Sequence, residues 1–301
     1  MQFDYFVSLF FSGLTRGSIY ALLALGYTMV YGIIQLINFA HGEVYMIGAF
    51  TALIVVSILA VSGMPMFAVV AIALIAAVAF STGYGFTMEK IAYKPLRKSA
   101  RLSALLSAVG MSLFLQNYVL LAQTSNFLPF PSLIPRIEAI EASGIINTSQ
   151  LAIFTATAVV MVILWALIKH TKIGKSMRAT AQDKTMAQLV GINVNRVISM
   201  TFVIGSATAA LGGVLISSHI GQINYFIGFI AGIKAFVAAV MGGIGSVPGA
   251  VLGSFVLGWT EAFGTGYISS DYEDVFAFLF LVLILIFRPE GLLGRSTRQK
   301  V

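Results

Sequence analysis

The sequence predicts an all-α fold, a polytopic helical membrane protein of about eight to ten hydrophobic elements, some of them broken or re-entrant. Three observations lead there. The 301 residues are 58% hydrophobic and only 10% charged, whereas a soluble domain carries about 25% charged residues. The apolar residues come in continuous runs of roughly 20, the length a helix rising about 1.5 Å per residue needs to cross a hydrocarbon core of about 30 Å. These runs lack the alternation of lipid-facing β-strands. The basic residues are gathered into a few segments between the runs, as topology signals are. The same composition excludes a disordered chain. With no cysteine, disulfides, zinc–thiolate sites, iron–sulfur clusters and thiol catalysis are excluded.

Taken in order, the apolar runs lie at about 17–37, 44–61, 65–87, 102–123, 150–168, 197–218, 227–243, 247–264 and 275–287. The start, Met1-Gln2-Phe3-Asp4-Tyr5, has no basic region of the kind that opens a cleaved signal peptide. The first run is therefore read as retained, behind a short interfacial helix over 5–14. The whole chain, 1–301, reads as a single transmembrane domain with two long connections, 124–149 and 169–196.

Fifteen of the 18 basic residues fall in three segments. Segment 88–101 holds Lys90, Lys94, Arg97, Lys98 and Arg101. Segment 169–196 holds Lys169, Lys172, Lys175, Arg178, Lys184 and Arg196. The tail holds Arg288, Arg295, Arg298 and Lys300. Pairs of spans separate these segments, so all three are expected on one face. The intervening loops carry Glu138, Glu141, Asp271, Glu273 and Asp274, with Arg136 as their base. The positive-inside rule makes the basic face cytoplasmic, with the C-terminus inside and, for nine spans, the N-terminus outside. The net charge of +7 would suggest nucleic acid in a soluble chain. Here it reads as membrane asymmetry, and no nucleic-acid partner is expected.

Segment 169–196 is long for a simple connection. Within it Asp183 is placed to cap a short helix with Met186, Ala187, Leu189 and Val190 as apolar positions, and Gly191 to end it in a left-handed cap. Such a helix could lie on lipid or dock into a groove of a soluble partner. Gly174-Lys175-Ser176 imitates the end of a phosphate-binding loop, but Lys169 stands where that motif needs glycine, and a membrane span precedes it. ATP binding by this chain is rejected.

The 29 glycines cluster in the spans. Gly228–Gly232, Gly245–Gly249 and Gly249–Gly253 are GxxxG spacings that allow close helix approach. The run Gly242-Gly243-Ile244-Gly245-Ser246-Val247-Pro248-Gly249 is too broken for regular helix and reads as a tight turn or re-entrant element. A polar break, Asn38-Phe39-Ala40-His41-Gly42-Glu43, separates two apolar runs. With three histidines in the chain and no HExxH spacing, it carries no metal or catalytic signature; Asn38 and Glu43 read as helix caps or as lining of a polar path, and His41 as structural or gating. Arg16, Glu43, Lys234 and Glu261 are the ionisable groups in or near spans, where such groups pair or face a cavity. Lys234 is expected to pair with Glu43 or Glu261.

Several stretches resemble the LivH-type permeases of bacterial branched-chain amino acid ABC importers, over nearly the whole chain: residues 17–22 (GSIYAL), 26–32 (GYTMVYG), 37–43 (INFAHGE), 178–183 (RATAQD), 191–193 (GIN), 234–236 (KAF), 242–249 and 288–292 (RPEGL). The resemblance implies a non-enzymatic permease subunit of the bacterial inner membrane with no cofactor of its own. It implies a second, LivM-like permease, two cytoplasmic ATPase subunits binding ATP and Mg, and a periplasmic amino-acid-binding protein. It implies that 169–196 is a coupling loop, with Asp183, Met186, Ala187, Leu189 and Gly191 meeting the ATPase, and that 124–149 is periplasmic. That loop keeps the Ala-x-x-x-Gly core of the ABC-importer signature and lacks its leading Glu and later Ile-x-Leu-Pro. The expected translocation path or gate uses Asn38, His41, Glu43, Lys234, Gly242, Gly243 and Gly245. Related permeases move urea or short amides, an alternative substrate class. From a different class, an ion-coupled secondary transporter would use Glu43 and Glu261 as ion ligands.

Overall fold

The computed structural model describes residues 2–97, 99–142 and 144–294. Four bases of the expected cationic face, Lys98, Arg295, Arg298 and Lys300, lie outside the described residues, as does the side chain of Arg101. The described chain is almost wholly helical. Its long helices are α1 (Gln2–Ile34), α2 (His41–Leu59), α3 (Met66–Met88, continued by a π-turn at Glu89–Tyr93) and α4 (Arg101–Ala122). A short turn, α5 (Glu138–Glu141), precedes α6 (Thr148–His170). Then come α7 (Lys172–Gln182), α8 (Lys184–Leu189), α9 (Val194–Ile220), α10 (Ile227–Gly242), α11 (Val247–Tyr267) and α12 (Glu273–Phe287). One two-residue strand pair, β1 (Leu128–Pro129) with β2 (Gln222–Ile223), joins the α4–α6 connection to the end of α9.

Six helices, α1 to α4, α6 and α9, are long and apolar enough to cross a membrane, and α10 with α11 forms a pair bent by 118°. α1 and α11 run in opposite directions: Gly13 lies against Trp259 and Gly17 against Phe255. Tyr5 at the start of α1 hydrogen-bonds the Gly266 carbonyl at the end of α11, and Ile34 at the end of α1 meets Lys184 of α8. The described parts of the basic segments gather at one end, where Arg97 reaches Asn195 (2.6 Å). The connections rich in acidic residues lie toward the other, where Phe127 of the 124–149 connection and Glu273 line one cavity.

Two expectations change here. The interfacial helix over 5–14 and the run 17–37 are one continuous helix ending at Ile34. Gly13 and Gly17 do not break it, because both face α11: a Cβ on Gly17 would stand 2.8 Å from the Phe255 Cα. The helix stops where Gln35 turns left-handed (φ 61°). Likewise the loop 169–196 is mostly helix, α7 and α8. Gly174, Met177 and Thr180 of α7 turn inward at three-residue intervals, one face of a helix.

Packing sorts the helices into an inner and an outer layer. The most apolar stretch of α1 is 83% buried, against 22% for α3 and 17% for α6, as expected if the outer helices offer their remaining apolar surface to lipid. The inner crossings use glycine. Gly42 of α2 meets Gly228 and Gly232 of α10, and Gly258 of α11 meets Gly13 and Gly17 of α1. Without side chains between them backbones approach closely, and dispersion supplies the attraction that hydrophobicity cannot supply in lipid. The Gly245–Gly249 spacing is different. Gly245 is left-handed (φ 93°), and a Cβ built on it would meet nothing within 4 Å, so it is the turn that requires glycine there.

Candidate functional site

The residues expected to act together occupy four places. At the basic end, Asp183 caps α8: its Oδ1 accepts from the Thr185 amide (2.7 Å) and the Met186 amide (3.0 Å). Gly191 is left-handed (φ 86°), and the Ile192 amide closes on the Ala187 carbonyl at 2.9 Å. The helix is thus fixed at both ends by groups legible in the sequence. Ala187 is buried, whereas Met186, Leu189 and Val190 are exposed, the last two at 75% each. So the apolar residues do not form one buried face; three of them project outward.

The loop is also latched to α1, a contact that the sequence reading missed. The Lys184 ammonium donates to the Ile34 carbonyl at 3.2 Å, satisfying one of the carbonyls left free at a helix C-terminus. Burial, with the Arg97 guanidinium nearby, holds the Lys184 ammonium below the usual lysine value. Beside it, Arg97 pairs with the fully buried Glu89, whose other oxygen accepts from Ser199 (2.7 Å). The π-turn after α3 is thereby tied to α9.

The second place is the break between α1 and α2. Asn38, His41 and Glu43 are all buried there. None of them caps α2 through its side chain. Asn38 Oδ1 accepts from the Tyr93 hydroxyl (2.8 Å). The His41 ring stands edge-on to Tyr27, centroids 4.9 Å apart, and fills the space left by Gly26 and Gly205. Glu43 Oε1 accepts from Ser112 of α4 (2.9 Å). Lys234 is not its partner.

Lys234 forms the third place. Its ammonium lies 3.2 Å from Glu261 Oε1, 2.6 Å from Glu273 Oε1 and 3.0 Å from Asp274 Oδ1. Of the two pairings expected, Glu261 is the one formed. Arg16 joins through Nη1, 2.9 Å from Glu273 Oε2 and 3.8 Å from Glu261 Oε2. The Tyr20 hydroxyl donates to Glu261 Oε2 at 2.7 Å. The sequence reading assigned Glu273 and Asp274 to a loop, yet α12 begins deep enough for both to reach α10. The cluster forms part of the wall of a cavity of about 530 Å³ that runs from it toward the acidic end, between α1, α9 and α10.

The fourth place is the turn at Gly242, Gly243 and Gly245. Gly243 is left-handed (φ 104°), and its position allows the tail to cross closely. The Leu292 and Leu293 amides donate to the Met241 and Gly242 carbonyls at 2.8 and 2.9 Å. The turn thus holds the chain after α12 in place and lines none of the 530 Å³ cavity.

Residues 9–285 match the family described as the permease component of the branched-chain amino acid transport system. The chain belongs to this family. Its members are permeases and not enzymes, and this chain is a multi-pass membrane permease of the ABC importer type. They function with a paired permease, ATPases and a binding protein. The chain is 48% identical to the high-affinity branched-chain amino acid transport system permease protein LivH of Escherichia coli K12, over all of this chain and 99% of that one. It is 49% identical to BraD of Pseudomonas aeruginosa, of the same description, over 96% of each. A probable branched-chain amino acid permease of Methanocaldococcus jannaschii is 25% identical over 91% of this chain and 88% of the relative.

Proposed function

We propose that the chain forms half of an alternating-access path for leucine, isoleucine and valine, driven through α8. In this reading the basic end, with the C-terminus, faces the cytoplasm and the 124–149 connection faces the periplasm. The partners are a LivM-like permease, two cytoplasmic ATPase subunits and a periplasmic binding protein that delivers the amino acid. Met186, Leu189 and Val190 enter a groove on the ATPase, with Asp183 and Gly191 holding the helix they lie on and Ala187 seating it on this chain. Closure of the ATPases displaces α8, and the glycine-packed inner helices move as units. Asn38, His41 and Glu43 hold the α1–α2 break, and Gly242, Gly243 and Gly245 hold the α10–α11 turn, as the two hinges of that motion.

The observation that carries this reading is α8 itself, an apolar surface presented at the cationic end by a helix capped at both ends. Co-purification from native membranes tests it: the chain is expected to bring down a second permease and ATPase subunits, and leucine uptake by the reconstituted assembly is expected to need ATP. Gradient-driven uptake by vesicles holding this chain alone would overturn it in favour of an ion-coupled transporter. ATP-dependent uptake of urea or short amides with none of leucine would move the substrate class.

A further inference from the structure

We infer that the 530 Å³ cavity binds the transported amino acid as a zwitterion, its α-carboxylate against Arg16 and its α-ammonium against Glu273, with the aliphatic side chain on the isoleucine wall. The inference rests on the permease reading above and names the contacts it would use.

Three features of the cavity point to this ligand class. Its volume lies within the roughly 300–1,000 Å³ of small-molecule sites. Ile19, Ile216, Ile220, Ile223, Ile227 and Ile230 give it an aliphatic patch among polar and aromatic residues. Its charged lining, Arg16, Lys234 and Glu273, is gathered at one place on that wall through the contacts already described. Arg16 and Glu273 sit about a third exposed, and Lys234 is nearly buried.

The roles divide by donor arithmetic. Lys234 has three N–H donors and three carboxylates within 3.2 Å, so it anchors the cluster. Arg16 has five donors in a planar fork and makes both carboxylate contacts through Nη1, which leaves the fork able to take a ligand carboxylate in the bidentate manner guanidinium favours. Glu273 accepts one ion-pair contact at each oxygen, and each oxygen has a second lone pair for an ammonium. Two bases and three acids, counting Glu261 and Asp274, leave the cluster one negative charge in excess. That excess repels a bare carboxylate, and an ammonium beside the carboxylate offsets the repulsion. Intramembrane ionisable residues facing a cavity are where substrate contacts are expected.

The test uses the assembled permease complex without its binding protein. This chain has no cysteine, so Ile230→Cys in the wall and Phe127→Cys at the other face of the cavity each introduce its one thiol. The probes are leucine, 4-methylpentanoate, which lacks the ammonium, and 3-methylbutylamine, which lacks the carboxylate. Leucine is expected to slow maleimide labelling at both positions, and each singly charged analogue to need at least about 10-fold more, the loss of one charge-assisted contact. Arg16→Gln and Glu273→Gln are expected to raise the leucine requirement by a similar factor. Saturation-transfer NMR of the same three ligands on the unmodified complex gives the same comparison without any variant. Analogues that bind as well as leucine overturn the zwitterion assignment. Leucine that protects neither cysteine and gives no NMR transfer, in a complex that imports leucine once its binding protein is added back, overturns the site and leaves the permease reading intact. A complex that imports no leucine even with its binding protein and ATP present overturns that reading itself.

Discussion

Replacing Lys234 with methionine isolates the energetics of the buried ion cluster. Methionine approximates the lysine stem, so packing is nearly conserved and the loss is the charge. Glu261, fully buried, then loses its 3.2 Å partner and keeps the Tyr20 hydroxyl at 2.7 Å and Arg16 at 3.8 Å. Breaking a buried pair by removing one member costs about 3–5 kcal/mol, because the other charge is left uncompensated. Arg16 and Tyr20 compensate part of it, so the lower bound of about 3 kcal/mol is expected here. Adding Glu261→Gln removes the stranded charge while an amide oxygen still accepts from Tyr20. Because exchanging a whole buried pair for neutral groups is often close to neutral, the double variant should recover to within about 1 kcal/mol of the parent. Adding Glu261→Gln to Lys234→Met is thus expected to restore about 2 kcal/mol, and the coupling follows once Glu261→Gln alone is measured. Unfolding the purified chain in mixed micelles of rising SDS fraction, followed by near-UV circular dichroism, measures all four corners of the cycle. A Lys234→Met variant that unfolds with the parent, or a double variant as weak as the single one, would refute the reasoning.

Other changes separate coupling from folding. Leu189→Glu alters a 75% exposed side chain; the chain should fold and assemble normally while leucine uptake falls at least about 10-fold, the loss of one buried leucine contact of 1.5–3 kcal/mol, as measured by uptake in proteoliposomes alongside ATPase rate. Asp183→Ala removes the cap of α8 and should weaken that helix by about 1 kcal/mol, seen as faster amide exchange at Thr185 and Met186 with the spans unchanged. Lys184→Met releases α8 from the Ile34 carbonyl, and the ratio of leucine imported to ATP hydrolysed should drop. Gly17→Val places a branched side chain against the Phe255 Cα and should cost about 1–3 kcal/mol or more by overpacking, read as loss of monodisperse protein.

The spans were legible because lipid-facing helices must be apolar throughout, and a run of such residues needs no partner to identify it. The α8 helix was legible for a different reason: Asp183 and Gly191 act on their own neighbours, so their effect is local. The contacts that build the cavity were not. Arg16 and Glu273 meet at 2.9 Å from opposite ends of the chain, and Glu273 sits among acidic residues that read as a solvated loop. Lys234 announced itself as a charge needing a partner, and chemistry alone offered two. Glu43 found a neutral hydroxyl, Ser112, a pairing that leaves no trace in a charge pattern.

The unbroken course of α1 has a mechanical consequence. Its far half runs from Arg16, in the cavity wall, to Ile34, held by Lys184 of α8. Eighteen helical residues span about 27 Å, and no proline or π-turn in that interval absorbs a bend. A rod of that length that tilts by about 10° about Ile34 carries Arg16 sideways by about 5 Å, more than the whole Arg16–Glu273 contact distance. A small rotation imposed at one membrane surface is therefore enough to open an ion pair near the other, and the helix works as a lever pivoted where α8 grips it.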